Sequence, residues 1–476
     1  MTQQEWSALL SGDERPVELC QALERVGFAN PAAAERCLLR LTRDPGQREL
    51  FARFAPHLFN ALSGAGDPDR VLATFERLVH TTPEAGALYT FLADSPRVVE
   101  MLVRLFSGSQ FLAEILLRSP EYLEDLADLR RLARPKTREV LYREAQATAA
   151  PFDGASDQMD ALRRFQRREL LRIGTCDLLD LFDLPTATRQ LSHLADALVQ
   201  VCLDLCVTRL NLPVKGFTVI GMGKLGGQEL NYSSDIDFIF LAAQPSPAMT
   251  RLGERLIDML ARVTTEGFLY RVDMRLRPWG QVGPLVSSPD GFINYLNRHA
   301  LLWEKQALLK ARPVAGDRGL GEDFISRTRP LLFNGAVETV RADVFAMKQR
   351  TEAFVSETTR TLGDVKLGEG SIRDVEFVAQ FLQLAHGADH PEILSPNTLD
   401  SLSRLLRAGL LTLNEYRVLA SGYIFLRTIE HHLQMMDYRQ THTLPDDPEA
   451  ILSLARRLGF GDGASAAGPS NGANGR

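Results

Sequence analysis

The chain has 476 residues and a mass of 52.9 kDa, with 45% hydrophobic and 24% charged residues, the balance of a globular protein with two or three domains. With 54 Lys and Arg against 60 Asp and Glu, the net charge of −6 provides no general basic field for nucleic acid or anionic lipid, so a polyanionic partner needs a local patch. The five cysteines (Cys20, Cys37, Cys176, Cys202, Cys206) show no C-x-x-C spacing, the N-terminus lacks a signal peptide's basic start and apolar core, and no apolar run reads as long enough to span a bilayer; neither disulfides nor thiolate zinc nor a membrane partner is expected, and the protein reads as cytoplasmic.

From residue 1 to about 210 the apolar residues recur at helical spacing, which predicts a helical N-terminal domain. In Arg97 to Leu126 one helix stops at Gly108, a second follows, and Pro120 is placed to open a third. Residues 135 to 158 are polar and carry Pro135, Pro151 and Gly154, so a loop or hinge is expected there. A long helix is expected from Asp160 to about Phe182. Its basic stretch, Arg163, Arg164, Arg167, Arg168 and Arg172, is interleaved with Leu162, Phe165, Leu170 and Leu171 and reads as a solvated helix face.

The texture changes over 211–290, where a small α/β module is expected. Phe217 to Gly221 and Asp235 to Leu241 read as strands, a helix carries Met249 to Val263, and Leu269 to Leu276 reads as a third strand. Beyond this, 291–458 returns to helical spacing, most clearly in Arg341 to Arg360, Arg373 to His386 and Ser421 to Met436. Residues 459–476 are small and polar and are expected to be disordered. His431 and His432 are adjacent, point apart on a helix and do not chelate one metal; they are expected at the surface or in the core.

The chemistry concentrates in Ser233-Ser234-Asp235-Ile236-Asp237. In a strand, positions i and i+2 share a face, so the two carboxylates lie together and repel unless a cation stands between them. Mg²⁺ bound by one or two carboxylates and substrate phosphates is the usual solution, and a merely solvated strand start is the alternative. Alternation in the third strand puts Arg271, Asp273, Arg275 and Arg277 on one face. Asp273 is thereby placed to complete an acidic triad and the arginines to hold phosphate oxygens, against the alternative of surface salt bridges.

Gly221-Met-Gly223-Lys224-Leu-Gly226-Gly227 also fits G-x-G-x-x-G, but only about two turns separate the glycines from the next strand, too little for a dinucleotide-binding helix. No glycine stands five residues before Gly223, which excludes a Walker A loop. What remains is a loop of backbone N–H groups beside Lys224 that suits a nucleoside di- or triphosphate tail. In Lys366 to Glu376, Ser371 and Asp374 have capping-box spacing at a helix start. With Lys366 and Arg373 beside it, that start reads equally as a cap and as an anion site.

Gly221 to Phe240 (GMGKLGGQELNYSSDIDFIF) followed by Tyr270 to Pro278 (YRVDMRLRP) resembles the bacterial glutamine synthetase adenylyltransferase and adenylyl-removing enzyme family, as do Leu162 to Ile173, Trp303 to Arg312 and Gln440 to Pro445. The resemblance runs from about residue 30 to 450. It implies an α+β fold, predominantly helical, with a polymerase-beta-like nucleotidyltransferase module embedded between helical domains. Family members carry two such units in tandem; this chain has one S-D-x-D, in the form that resembles the N-terminal, AMP-removing unit. The family usually has a second glycine where Ser371 stands.

The implied activity is metal-dependent phosphorolysis of adenylyl-tyrosine on glutamine synthetase, giving ADP. ATP-dependent adenylylation, or a non-catalytic regulator with a relic site, are the alternatives. Asp235 and Asp237 are expected to hold Mg²⁺, with Asp273 completing the catalytic set; Lys224, Gly226, Gly227 and Ser234 to bind nucleotide; and Arg275, Arg277 and Arg373 to bind phosphate. Glutamine synthetase, the PII signalling protein, ATP or ADP and phosphate are the implied partners.

Overall fold

The computed structural model describes residues 4–6, 16–213, 215–333, 337–358, 363–438 and 441–460. Of the tail expected to be disordered, 461–476 lies outside the described residues. The chain forms two compact units, Met1–Pro120 with Leu444–Arg476, and Glu121–Thr443.

The first unit is helical, and its helices begin on one repeated device. Pro31–Leu41, Pro45–Ser63 and Pro68–Thr81 each open with proline, whose missing N–H is an unbonded position anyway. Asn30, Asp44 and Asp67 stand just before and accept from the N–H three residues on. The expected stop is at Gly108, where Pro96–Gly108 ends and Ser109 caps Gln110–Arg118. Phe51, Phe54, Phe75 and Tyr89 form the aromatic core, with the Tyr89 hydroxyl donating to Leu41 O at 2.6 Å.

After two short helices, Tyr122–Ala127 and Leu129–Leu132, the second unit has three longer ones, α1 (Arg138–Ala149), α2 (Ala155–Leu178) and α3 (Leu184–Leu210). α1 occupies much of the expected loop at 135 to 158: Leu141, Ala145 and Ala149, four residues apart, bury one narrow stripe. α3 is long and apolar enough by composition to cross a membrane, contrary to the sequence expectation, yet 72% of its most apolar window is buried within the protein.

The arginines of α2 correct a second expectation. Arg163 is fully buried and donates to the carbonyls of Met159, Met259, Arg262 and Gly267. Met259 and Arg262 stand at the end of helix α4 (Pro247–Ala261), so this guanidinium satisfies carbonyls that a helix end leaves open. Arg172 is also buried, bonded to Glu169 and Gln190.

The sheet has five strands: β1 (Phe217–Gly221), β2 (Ile236–Ala242), β3 (Val272–Asp273), β4 (Val286–Ser287) and β5 (Arg312–Gly316). β1 lies between β2 and β5, antiparallel to both; β3 and β4 pair in parallel with β2. The first two strands match the sequence expectation. The third is two residues long rather than eight, because Leu269 N and Tyr270 N both bond Leu260 O and Arg275 N turns back to the Asp273 side chain. Strand β5 carries the sheet beyond residue 290.

The later helices include α5 (Val337–Thr358), α6 (Ile372–His386), α7 (Thr398–Arg407) and α8 (Leu413–Asp437), which fall on the three segments of strongest helical spacing; of the first segment, 359–360 lie outside the described residues. Ile220, Met222, Ile239 and Leu241 of the sheet region pack with Phe292, Phe324, Val340, Val344 and Leu384. The fold is α+β and predominantly helical, as the sequence predicts.

Candidate active site

The acidic pair is placed by strand pairing. In the β2–β3 register Ile236 stands opposite Val272 and Asp237 opposite Asp273, and Ile236 N donates to Arg271 O at 2.9 Å. Two adjacent parallel strands thus bring Asp237 and Asp273 side by side, with Asp235 at the start of the same segment. Ile236 and Phe238 turn the other way into the core. Met222 N donates to Asp237 O at 2.9 Å and brings Gly223 against the same carboxylate. A Cβ at Gly223 would lie 2.5 Å from Asp237 Oδ2, and its φ of +51° also favours glycine.

These three carboxylates stand in one pocket of about 600 Å³ with Lys224, Ser234 and Arg275. The opposite wall comes from later in the chain: Trp303, Gln306 and Lys310, then Lys366, Arg373, Glu376 and Gln380, and Gln434 of α8. Burial, followed by the repulsion of Asp273 and Asp235, pushes the Asp237 carboxyl up to about 6. Burial also pulls at Asp273, but hydrogen bonds from Arg275 outweigh it and hold that group below the usual carboxylate range. Arg271 pairs with Asp235 and donates to Ser233 O at 2.7 Å.

Among the described residues no three His, Cys, Asp or Glu side chains stand close enough together to hold a metal. A divalent cation nevertheless fits the chemistry of the donors. Asp237 is a part-buried carboxylate whose strongest charged neighbours are two further carboxylates, and Mg²⁺ needs only one or two of them beside substrate phosphates. Asp235 and Asp237 are the residues that would hold it.

Three expected site residues lie elsewhere. A Cβ on Gly226 would come within 1.8 Å of Lys310 O, and one on Gly227 within 2.8 Å of Pro396 O. Both glycines permit backbone to pack on backbone and neither lines the pocket. Arg277 is committed to its own loop, donating to Met274 O and Gln281 O at 2.9 Å and to Gly283 O at 3.3 Å. Ser371 stands at the start of α6 without a side-chain capping bond; Asp374 accepts from Gly370 N at 2.8 Å instead.

Lys224 is held by Glu430 of α8, at 2.6 and 2.9 Å. Burial brings the ammonium down to about 8, while Lys224 and Arg427 overcome burial at Glu430 and bring it to about 2. Lys310 bonds Glu229 at 2.8 Å and Glu376 at 2.7 Å, which keep it above the usual range despite its burial. Sequence reasoning did not select Glu430, Lys310, Glu376 or Gln434. The available signal was Arg427, Glu430, His431 and Gln434 at spacings of three and four on one face of a helix, where apolar residues are expected. His431 is buried and pairs with Asp177 at 2.6 Å.

Comparison with known proteins gives matches over parts of the chain. Residues 99–327 match the family described as Glutamate-ammonia ligase adenylyltransferase, and residues 338–470 match GlnD PII-uridylyltransferase. The chain is 36% identical over 455 residues to a protein of Streptomyces avermitilis named "Bifunctional glutamine synthetase adenylyltransferase/adenylyl-removing enzyme", covering 92% of this chain and 44% of that one. A protein of the same name from Thioalkalivibrio sulfidiphilus is 34% identical over 494 residues, with 95% of this chain and 50% of the other covered. The chain therefore spans about half the length of the curated relatives it matches.

Proposed function

Residues 99–327 carry a domain of the Glutamate-ammonia ligase adenylyltransferase family, and from that premise we propose that this chain catalyses metal-dependent nucleotidyl transfer on glutamine synthetase, in the direction that removes AMP. The observation that carries the reading is the convergence of Asp235, Asp237 and Asp273 in a pocket whose walls also present Lys224, Arg275, Lys366 and Arg373. Carboxylates facing cations across one cavity suit a phosphoanhydride or phosphodiester group with a divalent cation.

In the proposed reaction an oxygen of inorganic phosphate attacks the α-phosphorus of an adenylyl-tyrosine. The new P–O bond forms as the bond to the tyrosine oxygen breaks, giving ADP and a phenolate that takes a proton from water. Mg²⁺, held by Asp235 and Asp237, neutralises phosphoryl oxygens when bound. Asp273 keeps Arg275 at the acidic end, where its guanidinium meets the transferred group. Lys366 and Arg373 hold the incoming phosphate, Lys224 and Ser234 the nucleotide phosphates, and Trp303 offers an aromatic face to the base. The form of the Gly221 to Asp237 segment, which resembles the AMP-removing unit, supports the removing direction.

The match of residues 338–470 to a PII-uridylyltransferase family supports PII as a regulatory partner. Cytoplasmic location accords with five cysteines that are all free thiols. The test is incubation with adenylylated glutamine synthetase, Mg²⁺ and phosphate. ADP release that disappears in Asp235→Asn is expected; release no greater than in that variant overturns the removing direction. Transfer of AMP from ATP to unmodified glutamine synthetase would establish the forward reaction instead.

A further inference from the structure

We infer that helix α8 supplies positioning residues for this site, with Arg427, Glu430 and Gln434 fixing the segment from Lys224 to Ser234 that leads into Asp235 and Asp237. The inference deepens the nucleotidyl-transfer reading and rests on it for its catalytic consequence.

Residues 427, 430, 431 and 434 fall on one face of α8, and every one of them meets that segment or its support. Glu430 grips the Lys224 ammonium at both carboxylate oxygens. Arg427 donates to Glu229 O and to Asn231 Oδ1, each at 2.6 Å, and lies 3.3 Å from Glu430. Gln434 Oε1 accepts from Ser233 N at 3.3 Å. His431 shares Asp177 with the Tyr232 hydroxyl, which donates to it at 3.0 Å. The connection between β1 and β2 is therefore held at 224, 229, 231, 232 and 233 by one helix some two hundred residues further along the chain.

Arg427 and Glu430 are 1% and 0% exposed. An apolar face would dock a helix at least as well as buried charge, so stability alone does not account for this arrangement. Charge and hydrogen bonds select one register of helix against loop. Lys224 and Gln434 themselves line the pocket, so that register reaches the space where the phosphates are bound. The helix lies within the part of the chain that matches a different family from residues 99–327, so the acidic site is completed by a second region.

The test uses the full chain with Glu430→Gln, Glu430→Asp and Gln434→Ala. Amide exchange over 224–235 and steady-state phosphorolysis are measured, with circular dichroism as the check on folding. We expect exchange of the Ser233 amide to rise at least tenfold in Glu430→Gln and Gln434→Ala while β1 and β5 stay protected. The expected kcat falls about a hundredfold in Glu430→Gln and about tenfold in Gln434→Ala, each by more than KM for phosphate rises, with partial rescue by Glu430→Asp. Unchanged exchange overturns the inference, and so does unchanged kcat in both neutral variants. Should Glu430→Gln fail to fold, Gln434→Ala and Glu430→Asp decide by the same two measurements. A wild-type chain that transfers no nucleotide in either direction refutes the functional reading, and the exchange result then judges the positioning claim alone.

Discussion

Asp237 is the residue at which the charges conflict, and its titration has a definite sign. Its carboxyl is raised to about 6 in the folded chain, so without a bound cation its contribution to stability is fully present below the ordinary carboxylate value and lost as pH rises through about 6. Asp237→Asn should therefore abolish nucleotidyl transfer yet stabilise the metal-free protein at pH 7.5 by about 2 kcal/mol, with the gain shrinking towards pH 4. Thermal unfolding across that range checks it, and a variant no more stable than wild type at pH 7.5 counts against the charge conflict. Gly223→Ala should lower kcat by about 10²-fold, because the new methyl group displaces the Asp237 carboxylate. The acids were legible in the sequence because alternation in a strand needs only spacing of two. The fate of Arg277 was not, since it depends on a turn that ends the strand after Asp273.

At the scale of elements, the placement of α2 against α4 turns on one guanidinium. Arg163→Met keeps much of the volume and takes the guanidinium from the carbonyls of Met259 and Arg262 at the end of α4, so a loss of about 3 kcal/mol is expected in denaturant unfolding, with the unfolding slope unchanged. A loss below about 1 kcal/mol would mean that water replaces the guanidinium. Helical stripes with large apolar residues, as in α6 and α8, could be read directly from the sequence. α1 could not, because two of its three buried residues are alanine and the segment is otherwise polar. β5 escaped for a different reason: Arg312-Pro313-Val314-Ala315-Gly316 contains a proline, which weakens a strand reading; the strand lies at the sheet edge, paired only with β1, and the proline stands at a shift in register between Val219 and Ile220.

For the molecule as a whole, the acidic site belongs to two distant stretches of chain. A protein ended at residue 330 keeps all three carboxylates but loses Glu430 and Glu376, so Lys224 and Lys310 lose carboxylate partners. Its amides over 217–242 should exchange without protection, and protected amides there would show that the first stretch is self-sufficient. Glu430 also sets an acid limit. Its carboxyl is lowered to about 2, so its contribution is present above the ordinary value and lost as pH falls through about 2. Glu430→Gln should be less stable than wild type at neutral pH, by a margin that narrows below pH 4.5. The sequence disclosed the acidic end of the pocket, where residues are neighbours along the chain, and left its far wall obscure, because no local pattern ties Lys224 to a residue 206 positions away. That separation also sets a schedule. At roughly 5–20 residues per second, some 10–40 seconds of synthesis pass between the emergence of Lys224 and that of the carboxylate that receives it. Through that interval the first strands wait on the ribosome with an ammonium they cannot bury. A nascent chain arrested at residue 400 should be cleaved readily between β1 and β2 by protease, and one released at full length should resist.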